Sequence, residues 1–254
     1  MILAFDAGNT NIKVGLFEKD NLIESVRLTS TVGRTGDEYW QILSEIFSRQ
    51  KLNKENISGV IMSSVNPSLN YTLENMVSHH LKLKPLIVGS GGVKVGINIK
   101  YDNPKEVGAD RVVGAVAAYY LYGAPAIVVD CGTATTFNVI NDKGEFIGGP
   151  ISLGLKSASD ALSKSAAKLP NIELTFPKNA INKNTIANMQ SGVLFGFVGL
   201  VEYLVNKIKE EIGECKVIGT GGISQLVAQQ SKIFTHLDRT LTLRGLNIIY
   251  NMNV

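Results

Sequence analysis

A chain of 254 residues with 44% hydrophobic content can bury a large core, as one big domain or as two of about 120 residues each. Only 19% of the residues are charged, the net charge is +3, and Lys and Arg are scattered, which excludes the clustered basic footprint of a nucleic-acid binder. Two cysteines, Cys131 and Cys215, exclude a disulfide framework, and His79, His80 and His236 show no zinc-type spacing with them.

Met1-Ile2-Leu3-Ala4-Phe5 is too short for a signal peptide and runs straight into Asp6. Residues 2–7, 12–18 and 21–29 read as three consecutive strands. The first two flank the turn Asp6-Ala7-Gly8-Asn9-Thr10-Asn11-Ile12-Lys13. Gly8 has no Cβ, tolerates φ > 0 and lets the backbone approach a ligand closely. The N–H groups of such a turn, with the Thr10 hydroxyl, can point at anionic oxygens. Lys13 can place a positive charge near them, and Asp6 can hold a hydrated Mg²⁺. The set suits a nucleotide phosphate; read alone, it also fits a plain hairpin.

Thr35 to Glu38 is a capping box opening a helix, with Trp40, Leu43, Ile46 and Phe47 on one face and Trp40 expected in the core. Residues 59–65 form a buried strand that ends at a Ser-rich turn. A helix over about 68–82, with His79 and His80 at its polar end, and a short strand over 86–88 follow. Gly89-Ser90-Gly91-Gly92 reads as a connector, because no helix with a Lys follows it.

The next helix, roughly 109–122, places Asp110 and Arg111 at its N-terminus. An Asp there can simply satisfy free N–H groups, and an Arg can pair with a carboxylate. Lying in the chain between two phosphate turns, however, an acid able to accept a hydroxyl proton is what a kinase for a small alcohol needs.

The second turn is Asp130-Cys131-Gly132-Thr133, again after four apolar residues and before another strand. Asp6 and Asp130 lie 124 residues apart (130 − 6), close to half the chain, which suggests a duplicated domain with phosphates clamped between the halves. Cys131 is either a small buried residue or a redox group, the first being the commoner case.

Residues 157–169 read as a helix and 171–183 as a loop. A long helix over about 184–211 has Ile186, Met189, Val193, Phe197, Leu200, Leu204 and Ile208 at helical spacing, for core or interface packing. Gly192, Gly196 and Gly199 leave room for another element. Residues 217–224 form a strand with a Gly turn, and 241–246 lead into a closing helix. The longest uncharged apolar stretch, around 192–201, falls short of the ~20 residues of a membrane span, so a soluble, cytoplasmic protein is expected.

Asp-x-Gly-Asn-Thr-Asn-x-Lys at 6–13, Gly-Ala-Asp-Arg at 108–111, Asp-Cys-Gly-Thr-Ala-Thr-Thr at 130–136 and Asn-Thr-x-x-x-Met-Gln-Ser-Gly at 184–192 together resemble type III pantothenate kinases. That family belongs to the superfamily of acetate kinase, sugar kinases, heat-shock ATPases and actin, and the resemblance runs from Ile2 to about Tyr250. It implies an α/β fold of duplicated ribonuclease H-like (actin-like ATPase) domains, with mixed sheets flanked by helices, divided as 1–117 and 118–254. The activity implied is phosphorylation of pantothenate by ATP with Mg²⁺, the first step of coenzyme A synthesis.

Carried over residue by residue, Asp110 is the general base on the pantothenate hydroxyl. Arg111 binds the carboxylate end, Gly108 and Ala109 shape the backbone there, and Tyr101 contacts substrate. Asp6, Ala7, Gly8, Asn9, Thr10, Asn11, Ile12, Lys13 and Thr133 form the ATP site, with Mg²⁺ near Asp6. Asp130 holds a monovalent cation, K⁺ or NH₄⁺. The helix after Asn184 builds a homodimer in which Thr185 completes the neighbouring pocket, and the loop after Ile218 lies on the adenosine side. Leu153 and Asn182 stand where the family usually has Pro and Gly. The alternatives are another kinase or phosphohydrolase of the superfamily and a non-enzymatic nucleotide-binding regulatory factor.

Overall fold

The computed structural model describes every residue except Val32 and Ala167. Its contacts divide the chain into two compact units. One comprises Met1–Ile97, Asp102–Ala117 and Thr240–Val254, and the other comprises Asn98–Tyr101 and Ala118–Arg239.

In the first unit β1 (Ile2–Ala7), β2 (Asn11–Glu18) and β3 (Asn21–Thr29) form an antiparallel meander. β4 (Gly59–Ser64) adds to β1 in parallel and β5 (Leu86–Ile87) to β4, giving the order β3-β2-β1-β4-β5. All six residues of β1 are buried, Asp6 among them, as the apolar run from Ile2 to Phe5 requires of a central strand. α1 (Gly36–Arg49) starts at the expected capping box: the Glu38 N–H donates to Thr35 Oγ1 and the Thr35 N–H to Glu38 Oε2.

The buried face of α1 is Tyr39, Leu43 and Phe47: Leu43 and Phe47 lie as expected, Tyr39 takes the place expected for Trp40, and Ile46 is half-buried. Trp40 therefore sits half-buried at the flank and not in the core. Its ring stacks on His80, centroids 4.8 Å apart and planes 6° off parallel, and His80 Nε2 lies 2.8 Å from Asp37 Oδ1. The helix expected to reach residue 82 is α2 (Pro67–Met76) followed by a π-helical turn, Val77–Leu81. Such wider turns add a residue to the helix; here the turn carries His80 onto Trp40. α3 (Ala109–Tyr122) holds Asp110 and Arg111 in its first turn, as expected.

The second unit is built on β6 (Ala126–Cys131), β7 (Ala134–Ile140), β8 (Phe146–Gly148) and β9 (Ile151–Leu153), with helices α4 (Leu155–Ser165) and α5 (Thr185–Ile212). β10 (Lys216–Thr220), α6 (Ser224–Ala228) and β11 (His236–Leu237) complete it. Its sheet order is β11-β10-β6-β7-β8, with β9 also pairing β7. α4 begins two residues before the expected helix because Gly154 is its N-cap, and it ends at Ser165 because Ala166 turns extended; Ala167, inside the expected span, lies outside the described residues.

α5 buries Met189, Leu194, Phe197, Val201, Val205 and Ile208, whereas Ile186 is half exposed. On its other face, a Cβ at Gly192, Gly196 or Gly199 would meet nothing within 4 Å. Among the described residues α5 is the one helix long and apolar enough to cross a membrane, by length and composition alone. The uncharged apolar stretch around 192–201 is only the middle of this helix.

α7 (Leu241–Asn251) belongs to the first unit, so that unit is discontinuous in sequence. Leu241, Leu243, Leu246 and Ile249 anchor it in the core. Two glycines admit it: a Cβ at Gly59 would overlap the Tyr250 ring, and one at Gly245 would overlap the Val113 carbonyl of α3. The two sheets repeat one plan, with an acid ending β1 and β6. Each of these strands is antiparallel to the next and parallel to a later one, β4 or β10.

Candidate active site

In the first unit the site grows from the end of β1. The register sets Asp6 opposite Lys13 on β2 and Ser63 on β4. The Asp6 carboxylate is buried, only 7% exposed, and is held on three sides. Ser63 Oγ donates to its Oδ1 at 3.2 Å, Thr242 Oγ1 of α7 donates to its Oδ2 at 2.7 Å, and Lys13 Nζ lies 3.2 Å from Oδ2.

The turn beyond is closed by the Gly8 N–H on the Asn11 carbonyl, 2.9 Å. Gly8 is not at positive φ. Its smallness is what counts, since a Cβ would lie 3.1 Å from the Asn11 carbonyl oxygen. Asn9 and Thr10 are exposed at the tip, where they can meet a ligand. Ala7 and Ile12 point into the core, so only their backbone is available to one.

Asp110 sits at the start of α3 with Oδ1 accepting the Arg111 N–H at 2.8 Å. This carboxylate requires Gly108 beside it, because a Cβ there would lie 2.6 Å from Asp110 Oδ1. Burial pushes the Asp110 carboxyl above the ordinary carboxylate range and the Asp6 charge adds to this, against lowering by the Arg111 N–H and guanidinium. Arg111 is itself buried. The unit thus brings Asp6, Lys13, Asp110 and Arg111 into one electrostatic group with a carboxylate more basic than usual, the property of a general base.

In the second unit the turn is one residue tighter. Gly132 donates to the Ala134 carbonyl at 3.0 Å, and Asp130 faces Thr136, not a lysine, on β7. The start of α4 closes over it: the Gly154 N–H and the Ser157 hydroxyl both donate to the Thr133 carbonyl, and a Cβ at Gly154 would overlap that turn. Thr133 is exposed there.

On the other flank Asp130 pairs in register with Thr220 of β10. The Asp130 carboxylate lies against Gly221, where φ is +85° and a Cβ would be 2.5 Å from Oδ1. Thr220 Oγ1 is fully buried without a hydrogen-bond partner. A buried orphan hydroxyl is costly, and beside a carboxylate it supplies the neutral oxygen that a monovalent cation takes, so these residues fit such an ion.

Tyr101 belongs to the second unit, its ring over Gly148 and 6.3 Å from Phe146. Thr185 lines a groove of about 600 Å³ with Leu162, Leu169, Met189 and Val193, at the start of α5. Sequence reasoning missed Ser63, Thr242, Ser157 and Thr220. The duplication held a signal for one pair: Ser63 and Thr220 take the same place beside the two acids, each on the parallel neighbour strand.

Residues 2–207 match the family model described as type III pantothenate kinase. Similar solved structures include a Campylobacter jejuni protein described as a Baf family transcriptional activator, at 20% identity over 99% of this chain and 98% of that one, TM-score 0.63. Another is the activator of 2-hydroxyisocaproyl-CoA dehydratase from Clostridium difficile with bound ADPNP, at 12% identity over 98% and 93%, TM-score 0.57. A third is the inorganic polyphosphate/ATP-glucomannokinase of Arthrobacter sp. strain KM, at 17% identity over 99% and 98%, TM-score 0.53. At these identities the likeness is one of fold: two mixed sheets flanked by helices, as in actin-like ATPases and sugar kinases.

Proposed function

We propose, because the chain belongs to the type III pantothenate kinase family, that it transfers the γ-phosphoryl group of ATP to the primary hydroxyl of pantothenate. The observation that carries this reading is Asp110, a carboxylate made more basic by burial in the unit that also holds Asp6 and Lys13. Asp110 takes the hydroxyl proton and frees the oxygen to attack phosphorus in line. Arg111 binds the pantothenate carboxylate with its fork of donors, Tyr101, Gly108 and Ala109 shape the rest of the pocket, and Thr185 completes the pocket of the neighbouring protomer.

The ATP phosphates are held by the 6–13 turn, through Gly8, Asn9, Thr10, Asn11 and Lys13 and the backbone of Ala7 and Ile12, together with Thr133. Asp6 would hold Mg²⁺ through water, and that ion supplies charge neutralisation to the phosphates. Asp130, with Thr220, would hold K⁺ or NH₄⁺. Transfer of this kind depends mostly on positioning and charge. A homodimer formed through the open glycine face of α5, and a cytoplasmic location where ATP is supplied, belong to the same reading.

The test is ADP release from Mg·ATP with and without pantothenate, in K⁺ and again in Na⁺. Turnover that needs both pantothenate and K⁺ is expected. Pantothenate-dependent turnover indifferent to the cation would remove the Asp130 assignment alone. Turnover without pantothenate would give the chain to another kinase or phosphohydrolase.

A further inference from the structure

We infer that Thr242 is a positioning residue: its hydroxyl fixes the Asp6 carboxylate in the orientation that Mg·ATP binding uses, and α7 thereby braces the active site from the far end of the sequence. The inference rests on the reading of Asp6 as the residue facing the nucleotide's metal.

The hydroxyl's direction follows from its neighbours. A threonine has one O–H to give and lone pairs to receive. Lys13 Nζ donates to Thr242 Oγ1 at 3.3 Å, so the hydroxyl proton goes to Asp6 Oδ2, 2.7 Å away. Lys13, Thr242 and Asp6 form a closed triangle, completed by the 3.2 Å ion pair. With Ser63 on Oδ1, three of the carboxylate's roughly four lone-pair directions are taken by the protein. Asp6 is therefore locked against rotation and keeps about one direction for a metal-bound water.

The anchor itself is rigid. Thr242 is 2% exposed in the first turn of α7, between the buried Leu241 and Leu243. One turn on, Gly245 sets α7 against the Val113 carbonyl and Ala117 of α3, the helix that carries Asp110. One helix thus touches the acid at the end of β1 directly and the helix of the other acid through its backbone.

The experiment compares Thr242→Val, which keeps the volume and loses the hydroxyl, with Thr242→Ser, which keeps the hydroxyl. Two readouts are taken: Mg²⁺-dependent binding of a fluorescent ATP analogue, and turnover split into kcat and the KM for pantothenate. The valine variant is expected to need about tenfold more Mg²⁺ for half-maximal nucleotide binding and to lose about tenfold in kcat, with pantothenate KM unchanged. The serine variant is expected within about threefold of wild type.

Wild-type Mg²⁺ dependence in Thr242→Val would overturn the inference, and so would equal losses in both variants that track a fall in melting temperature. The binding readout does not use pantothenate. Failure of the pantothenate kinase reading would therefore appear as absent pantothenate-dependent turnover in the wild type, while the Thr242 comparison is still decided by nucleotide binding.

Discussion

Gly108→Ala isolates the placing of the candidate base from its chemistry. The added methyl carbon would lie 2.6 Å from Asp110 Oδ1 and 3.8 Å from Val65 Cγ1. Carbon and oxygen rest at about 3.3 Å or more, so the carboxylate has to move by about 0.7 Å or rotate away. The atom in the way is the end of a short side chain and not backbone, so folding survives. The cost is at most the side-chain bond to the Arg111 N–H, which also donates to the Gly108 carbonyl, about 1 kcal/mol.

Catalysis has no such slack, since a displacement near 1 Å at a reacting group can cost about 10²-fold. The expected result is a melting temperature within a few degrees of wild type and a kcat lower by about 10- to 100-fold, with nucleotide binding preserved. Pantothenate-dependent ADP release measures kcat, analogue titration measures nucleotide binding, and a thermal melt measures the stability. Wild-type kcat in Gly108→Ala would refute the argument that Gly108 exists to make room for Asp110.

Asp110→Asn is expected to lose at least about 10²-fold in rate while melting higher than wild type at pH 7. A carboxyl raised by burial gives the folded state stability that is complete below its ordinary value of 3.8 and lost as pH rises through the raised one. The neutral amide never pays that loss, so the gain in melting temperature should close as pH falls below 3.8; no gain at pH 7 would contradict the burial argument. The same shift predicts that kcat/KM of the wild type rises with pH along a limb centred above 3.8, absent in Asp110→Asn. Burial and the neighbouring Asp130 push the Cys131 thiol up to about 12, so iodoacetamide at pH 8 should modify at most Cys215 in the native protein and both cysteines in urea. Gly196→Arg on the open face of α5 should yield a folded monomer by sedimentation, and a dimer unchanged by that substitution would move the interface elsewhere.

What the sequence made legible was what repeats or alternates over several residues. The apolar runs into Asp6 and Asp130, the capping box at Thr35 and the short-range motif around Asp110 each carry their structure locally, and they lie where the reading placed them. Contacts made across the fold were hidden. Thr242 touches Asp6 from 236 residues away, and nothing in Leu-Thr-Leu-Arg announces it. The choice between Tyr39 and Trp40 for the core turned on a single helical position, which packing decides and periodicity does not. Strands of two or three residues, such as β8, β9 and β11, are too short to show a period at all. At Gly8 the sequence points to two properties, the missing Cβ and the freedom of φ, and the fold uses only the first.

The return of α7 to the first unit sets the order in which a newly made chain can finish itself. Synthesis runs from the N-terminus, and units fold as their residues become available. Residues 118–239, which form most of the second unit, all precede 240–254, the piece that the first unit still lacks. Until that piece arrives, Gly59 has no Tyr250 over it and the Asp6 carboxylate lacks its shortest hydrogen bond. A chain halted after β7 but before residue 240 carries both acids and both turns yet leaves the first of them unfinished. Under the proposed reading, the nucleotide site at Asp6 would be finished only once residues 240–254 have been made.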